Sequence, residues 1–158
     1  MTVIPHTFSL PGLVAGAKLL CFGAGGAHSA RLAAEARSLK LEHVSPEALV
    51  HQEICRRTPL GQQAAQARRH GAAVPDQILL AIVRKWFWTR KPDAGFLLEG
   101  FPATLLHARV FDEWLEAREE ALTGCFWAGP LPAPVTVGAA VVEHYRTLGL
   151  LRESDPSR

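Results

Sequence analysis

The sequence lacks a strong charge imbalance. Lysine and arginine number 17 against 15 aspartate and glutamate, a formal net charge of +2. That balance is too even to point by itself to nucleic acid or a membrane surface as a partner. Arg68, Arg69 and His70 form a short basic cluster, but it falls at the end of an expected helix, where solvated cations favour the dipole. Cysteine is scarce: Cys21, Cys55 and Cys125 are scattered and odd in number. Cys21 and Cys125 lie in apolar runs, so the expectation is buried free thiols in a reducing cytoplasm and no disulfide framework. Neither C-x-x-C nor H-x-x-x-H spacing occurs, which argues against a metal site. "MTVIPHTFSLPGLVAGA" has no lysine or arginine and contains two prolines. That is unlike a signal peptide or a membrane span, so residues 1–16 read as an N-terminal extension. There is no internal repeat and no low-complexity segment.

What is present is ordinary for a soluble domain. The 158 residues are 48% hydrophobic and 20% charged, enough chain for one domain with a real core. "KLLCF" (18–22) reads as a buried strand, and the Ala/Arg/Leu/Glu-rich stretch from His28 to about Lys40 as helix. "LEHV" (41–44) fits a second short strand. Ser45 caps a helix with Pro46 at its first position, and "TPLG" breaks it. Another helix is expected from about Gly61 to His70, stopping at Gly71. Pro75 and Asp76 open a helix carrying "ILLAIVRKWFW" that ends before Pro92. "GFLLE" (95–99) reads as strand, followed by a helix to about Glu120. "LTGCFWAG" (122–129) looks like a fourth strand, "GPLPAP" a loop, and Val135 to about Leu150 a last helix. Residues 151–158 read as a polar tail. Strands alternating with helices predict an α/β fold, a parallel sheet with helices on both faces. Ligands then belong beyond the carboxyl ends of the strands, where Gly23–His28 and Glu99–Pro102 both begin.

The turn Gly23-Ala24-Gly25-Gly26-Ala27-His28 between a strand and a helix suits phosphate. It lacks the lysine of a phosphate loop and the last glycine of a dinucleotide turn. As a dinucleotide fingerprint it fits G-x-G-x-x-G except at its end, with Glu42 near the ~20-residue offset at which an acid holds a ribose. His28 would obstruct the close helix packing that the third glycine permits.

The rest of the chain carries a second reading. Leu60-Gly61, Gly71, Val74-Pro75-Asp76 and "GFLLEGFPAT" (95–104) stand in order and spacing. They resemble the adenylate kinase family, with its L-G-x-x-A, G-x-L-V-P-D-E and G-F-L-L-D-G-F-P-R-T motifs. "EHYRTLGLL" resembles the family's last helix more weakly. The likeness covers about residues 17–128, and extends toward 150. It implies a three-layer, P-loop-type parallel sheet of about four strands in a single domain, 17–150, with 45–75 forming the helices that receive a nucleoside monophosphate. It also implies ATP and AMP with magnesium as ligands, and phosphoryl transfer carried by positioning and charge neutralisation.

Laid on the family's G-x-P-G-x-G-K-G-T, the loop here is Gly23 through Arg31. Ser29 then stands at the lysine, His28 at the last loop glycine and Arg31 at the magnesium-binding threonine. Arginine is a donor only and cannot ligate magnesium. Arg31 offers a relocated positive charge or simply faces solvent. The resemblance also puts Pro46, His51 and Ala103 where the family grips AMP with threonine and two arginines. His107 takes the place of an adenine-contacting glutamine. Val74 and Gly100 keep backbone contacts to a base, and Glu99 keeps a carboxylate where the family has aspartate. After the fourth strand the family has an arginine-bearing lid. Here the stretch is expected to hold none, and Gly129–Gly149 contains one arginine, Arg146. A single transition-state arginine is worth ~10³–10⁵ in rate.

Besides the NAD-type dinucleotide binder above, three classes of function remain open on these residues. One is a divergent adenylate-kinase-like protein, inactive or strongly impaired, that still binds a nucleotide or anion. The second is an active phosphotransferase rebuilt around Arg31, His28 or Ser29 with another acceptor. The third is an interaction module, since Trp86 and Trp88 lie two apart on one helix and cannot share a face, which leaves one of them to a partner or a homodimer.

Overall fold

The computed structural model describes residues 16–22, 27–127 and 137–153, with only the backbone described for Ala27–Ser29, Leu32, Val137, Arg152 and Glu153. The expected N-terminal extension up to residue 15, the glycines of the turn 23–26 and the loop 128–136 lie outside the described residues.

Five parallel strands form one sheet in the order β2-β3-β1-β4-β5. They are β1 (Lys18–Phe22), β2 (Glu42–Val44), β3 (Phe96–Glu99), β4 (Gly124–Trp127) and β5 (Leu151–Glu153). Between them run α1 (Ala27–Ser38), α2 (Pro46–Cys55), α3 (Pro59–Arg69), α4 (Asp76–Thr89), α5 (Leu105–Ala117) and α6 (Val137–Thr147). The sequence leads to about four strands. The fifth is three residues long and sits in the stretch that reads as a polar tail. "LRE" is too short to show strand periodicity, and its place at the sheet edge comes from pairing of Cys125 with Leu151 and Trp127 with Glu153.

Alternation along the central strands builds two cores. Leu20, Phe22, Phe96 and Leu98 face a large cluster with Ile82, Phe87, Phe111, Trp114 and Tyr145 from α4, α5 and α6. Leu19, Cys21, Leu97 and Phe126 face a smaller one that takes in Ala36 of α1 and Leu41. Leu19, Leu20, Leu97 and Leu98 are fully buried, as expected for parallel strands covered on both faces. Each such side chain contributes roughly 1.5–3 kcal/mol relative to exposure. Helices α1 and α5 therefore leave the neighbouring strands β1 and β3 on opposite faces. In open α/β sheets such a divergence marks the place, beyond the carboxyl ends of the strands, where ligands bind.

Local caps follow the sequence. Ser45 Oγ accepts from the Ala48 amide at 3.2 Å with Pro46 at the first turn. Thr58 Oγ1 accepts from the Gly61 amide at 3.0 Å with Pro59 behind it, so α3 starts two residues earlier than "TPLG" suggested. A Cβ on Gly61 would sit 2.0 Å from the Glu53 carbonyl oxygen. That glycine is what lets α2 and α3 meet. Trp86 is 9% exposed and Trp88 is 40% exposed, so one of the pair does turn away from the core.

Candidate functional site

The two special turns begin side by side. Cys21 is in register with Glu99, and the Gly100 amide donates to the Cys21 carbonyl at 3.0 Å. Gly100 has φ +83°, a left-handed conformation that a side chain would strain. Phe22 ends β1, and α1 begins at Ala27. The end of β1 therefore lies next to Gly100, and residues 23–26, which lead to α1, lie outside the described residues. The side chains of Ala27, His28 and Ser29 lie outside the described residues. Arg31, in the first turns of α1, is exposed, and its charge acts on Glu35, offsetting in part the upward push that burial gives that carboxyl.

At the end of β3 the side chains form two acid–histidine pairs. His43 of β2 donates from Nε2 to Glu99 Oε2 at 2.8 Å. The Glu99 charge also reaches Cys21, whose thiol is pushed up to about 12, first by burial and then by that carboxylate. His107, 2% exposed, stacks on Phe101 with centroids 5.3 Å apart. Its Nδ1 accepts from the Ala103 amide at 3.4 Å, which puts the ring proton on Nε2. Nε2 lies 3.3 Å from Asp76 Oδ1, but the alignment is not that of a hydrogen bond, and this buried donor has no partner among the described residues. Thr104 caps α5 by accepting from the His107 amide at 3.1 Å, so "GFPAT" fixes both the turn and the imidazole. Val74 is half-buried against the main core. Of the monophosphate-site candidates, Glu99, Gly100 and His107 thus gather at the end of β3.

Glu42 is placed elsewhere. It is level with Phe96, which is level with Lys18, so it stands at the amino end of the sheet. Phe22, the last residue of β1, lies four residues further along, ~13 Å up the strands, and β3 separates β2 from β1. An acid at that place cannot hold the ribose of a dinucleotide bound at the turn, which removes the support that Glu42 lent to the dinucleotide reading. The offset in sequence looked right because offset alone does not report strand order.

Sequence reasoning missed a buried cage at that amino end. Glu120 Oε2 accepts from Arg90 Nη2 at 2.7 Å, and Glu120 Oε1 accepts from the Asp93 amide at 3.0 Å. Lys18 Nζ lies 3.2 Å from Glu120 and 2.8 Å from Asp93, and Arg118 Nε is 3.3 Å from Glu120. Arg118 also donates to the carbonyls of Phe87 and Arg90 at 2.8 Å each. Burial pushes the Glu120 carboxyl up, but Arg90 and Lys18 together outweigh it, and the group ends below its ordinary range. Three cations are held at the far end of the sheet from the glycine turns. A second missed acid, Glu53, is held by Thr58 Oγ1 and by Lys85 Nζ at 3.0 Å. Both clusters join residues far apart in the chain, and no local pattern announces them.

No group of three or more histidine, cysteine, aspartate or glutamate side chains converges to hold a metal among the described residues. Glu99 is the carboxylate at the strand ends, and it is engaged by His43.

Curated proteins match the chain over about two thirds of its length. The chain is 35% identical over 106 residues to adenylate kinase from Moorella thermoacetica, covering 66% of this chain and 49% of the relative. It is 37% identical over 101 residues to adenylate kinase from Prochlorococcus marinus, covering 63% and 53%. The chain is a relative of the adenylate kinases. Adenylate kinase from Clostridium botulinum matches at 35% over 100 residues, covering 63% and 45%. The chain spans about half the length of the curated relatives it matches. No family model matches it. Among the described residues no helix is long and apolar enough to cross a membrane.

Proposed function

We propose that the chain is a nucleotide-binding relative of the adenylate kinases in which phosphoryl transfer is strongly impaired. The observation that carries the binding half is His107: its Nδ1 side is satisfied by the Ala103 amide, and its Nε2 donor is held without an aligned acceptor beside Gly100 and Phe101. A buried N–H without a partner costs about 1–3 kcal/mol, and an acceptor on a purine edge would remove that cost. Gly100 at φ +83° keeps the backbone open for the approach. Helix α1, starting at the glycine turn, offers free amides and a positive dipole end to phosphate.

Impairment is supported by where the charge lies. Phosphoryl transfer needs cations fixed on the transferring group. Lys18, Arg90 and Arg118 are committed to Glu120 at the opposite end of the sheet. Glu99 is held by His43, and Arg31 is exposed on α1. The sequence has Ser29 and Ala103 where the family's motifs carry a lysine and an arginine. The chain is expected to act in a reducing compartment, as Cys21 and Cys125 are buried free thiols.

Calorimetric titration with AMP, ATP and NAD tests the binding half. AMP or ATP should bind in the micromolar to low millimolar range and NAD should not. His107→Ala should weaken AMP at least fivefold. Equal affinity of wild type and H107A, or no heat with AMP and ATP, would remove the reading.

A further inference from the structure

Apart from the strand ends, the structure has a cleft of about 720 Å³ on the α2–α3 hairpin. Its size falls in the range of small-molecule sites. Ile54 and Ala65 give it an apolar floor, and the close approach of the helices at Gly61 sets its depth. Arg57, Arg69 and His70 stand at its walls, and no carboxylate lines it among the described residues. These three side chains are exposed, and none of them has a hydrogen bond or ion pair to a described residue. The nearest acid on α2, Glu53, is buried and engaged by Thr58 and Lys85.

The backbone adds an independent observation. Arg57 has φ +55°, a region in which glycine or asparagine is the usual occupant. The turn needs that conformation to cap α2 and start α3. An arginine there is strained by its own Cβ, and what it adds over glycine is a guanidinium at the cleft. The dipoles of α2 and α3 favour cations at both helix ends, and what the cleft adds is that Arg57 from the end of α2 and Arg69 and His70 from the end of α3 line one concavity.

We propose that this cleft is a second anion site, distinct from the strand ends, which takes a small organic phosphate. Arg57 and Arg69 would pair with the phosphate group, bidentate geometry being their strength. Gln62 and Gln66 supply amide donors and acceptors at the wall, and the Ile54–Ala65 floor takes the apolar body of the ligand.

The test uses the whole chain labelled with ¹⁵N, with AMP and inorganic pyrophosphate as probes. AMP should shift the Gln62 and Gln66 side-chain amides and the Gly61 backbone amide, and more strongly than pyrophosphate at equal concentration. The double variant R57G/R69Q should weaken that response at least tenfold. Arg57→Gly keeps the positive φ, so the fold survives, which dispersed signals from α4 and β3 would verify. Raising salt should weaken the wild type far more than the variant. Shifts confined to Gly100 and His107 overturn this proposal and leave the strand-end site standing. Shifts confined to α3 support it and remove the strand-end site. Equal responses to AMP and pyrophosphate, or an unchanged response in R57G/R69Q, overturn it.

Discussion

Replacing Glu120 by glutamine tests whether the cations of this chain belong to its scaffold. The Glu120 side chain is 1% exposed and that of Arg90 4%. The variant keeps an oxygen for one donor and loses the charge that balances Arg90, Lys18 and Arg118. Removing one partner of a buried ion pair costs about 3–5 kcal/mol, because it leaves an uncompensated buried charge. For a chain of this length each kcal/mol moves Tm by about 2–4 °C, so Tm should fall by about 6–20 °C at neutral pH. The pH dependence has a definite sign. The folded Glu120 carboxyl lies below its ordinary value, so the folded state holds fewer protons than the unfolded state between the two values. Its contribution is present above the unfolded carboxylate range near pH 4.3 and is lost as pH falls through the folded value. Thermal melts from pH 7 to pH 3 should show wild type and E120Q converging at the acid end. A Tm drop under 2 °C at pH 7 would refute the reasoning, and with it the view that these three cations serve the fold.

Further outcomes follow from particular contacts. Gly61→Ala forces a Cβ to within 2.0 Å of the Glu53 carbonyl oxygen and should cost about 1–3 kcal/mol by overpacking. A denaturant midpoint within error of wild type would contradict it. Cys55 is exposed while Cys21 and Cys125 are buried, and burial pushes both buried thiols up, Cys21 to about 12. A thiol reagent at pH 8 should therefore titrate one cysteine quickly and the other two only on unfolding; three fast thiols would refute the placement of β1 and β4. Trp88→Ala, at the exposed site beside Arg118, should change stability by less than ~1 kcal/mol in chemical denaturation. A larger loss would mean that Trp88 is a core residue.

Much of the scaffold is legible because its signals are local. The short continuous apolar runs "KLLCF" and "FLLE" mark buried parallel strands, and the Ser45-Pro46 cap marks α2 directly. Thr58-Pro59 is the same cap signature at α3. The same four residues, "TPLG", thus break α2 and start α3. Strand β5 had no such signal, since three residues at an edge owe their state to pairing with β4. The site divides in the same way. Gly100 and the Thr104 cap could be read from "GFPAT", as could the neighbourhood of the two glycine turns. The neighbours of Glu99 and His107 could not, because His43 and Asp76 come from other elements. Strand order also decided the fate of Glu42, which the spacing alone had placed beside a ribose.

The central claim is binding without efficient transfer, and one ³¹P NMR time course on the purified chain with ATP, AMP and magnesium tests it most directly. The account predicts a broadened or shifted AMP resonance while ADP signals grow at least ~10³-fold more slowly than the ~1–100 s⁻¹ typical of kinases. ADP appearing at ordinary kinase rates would contradict the impairment, and an AMP resonance untouched by millimolar protein would contradict the binding.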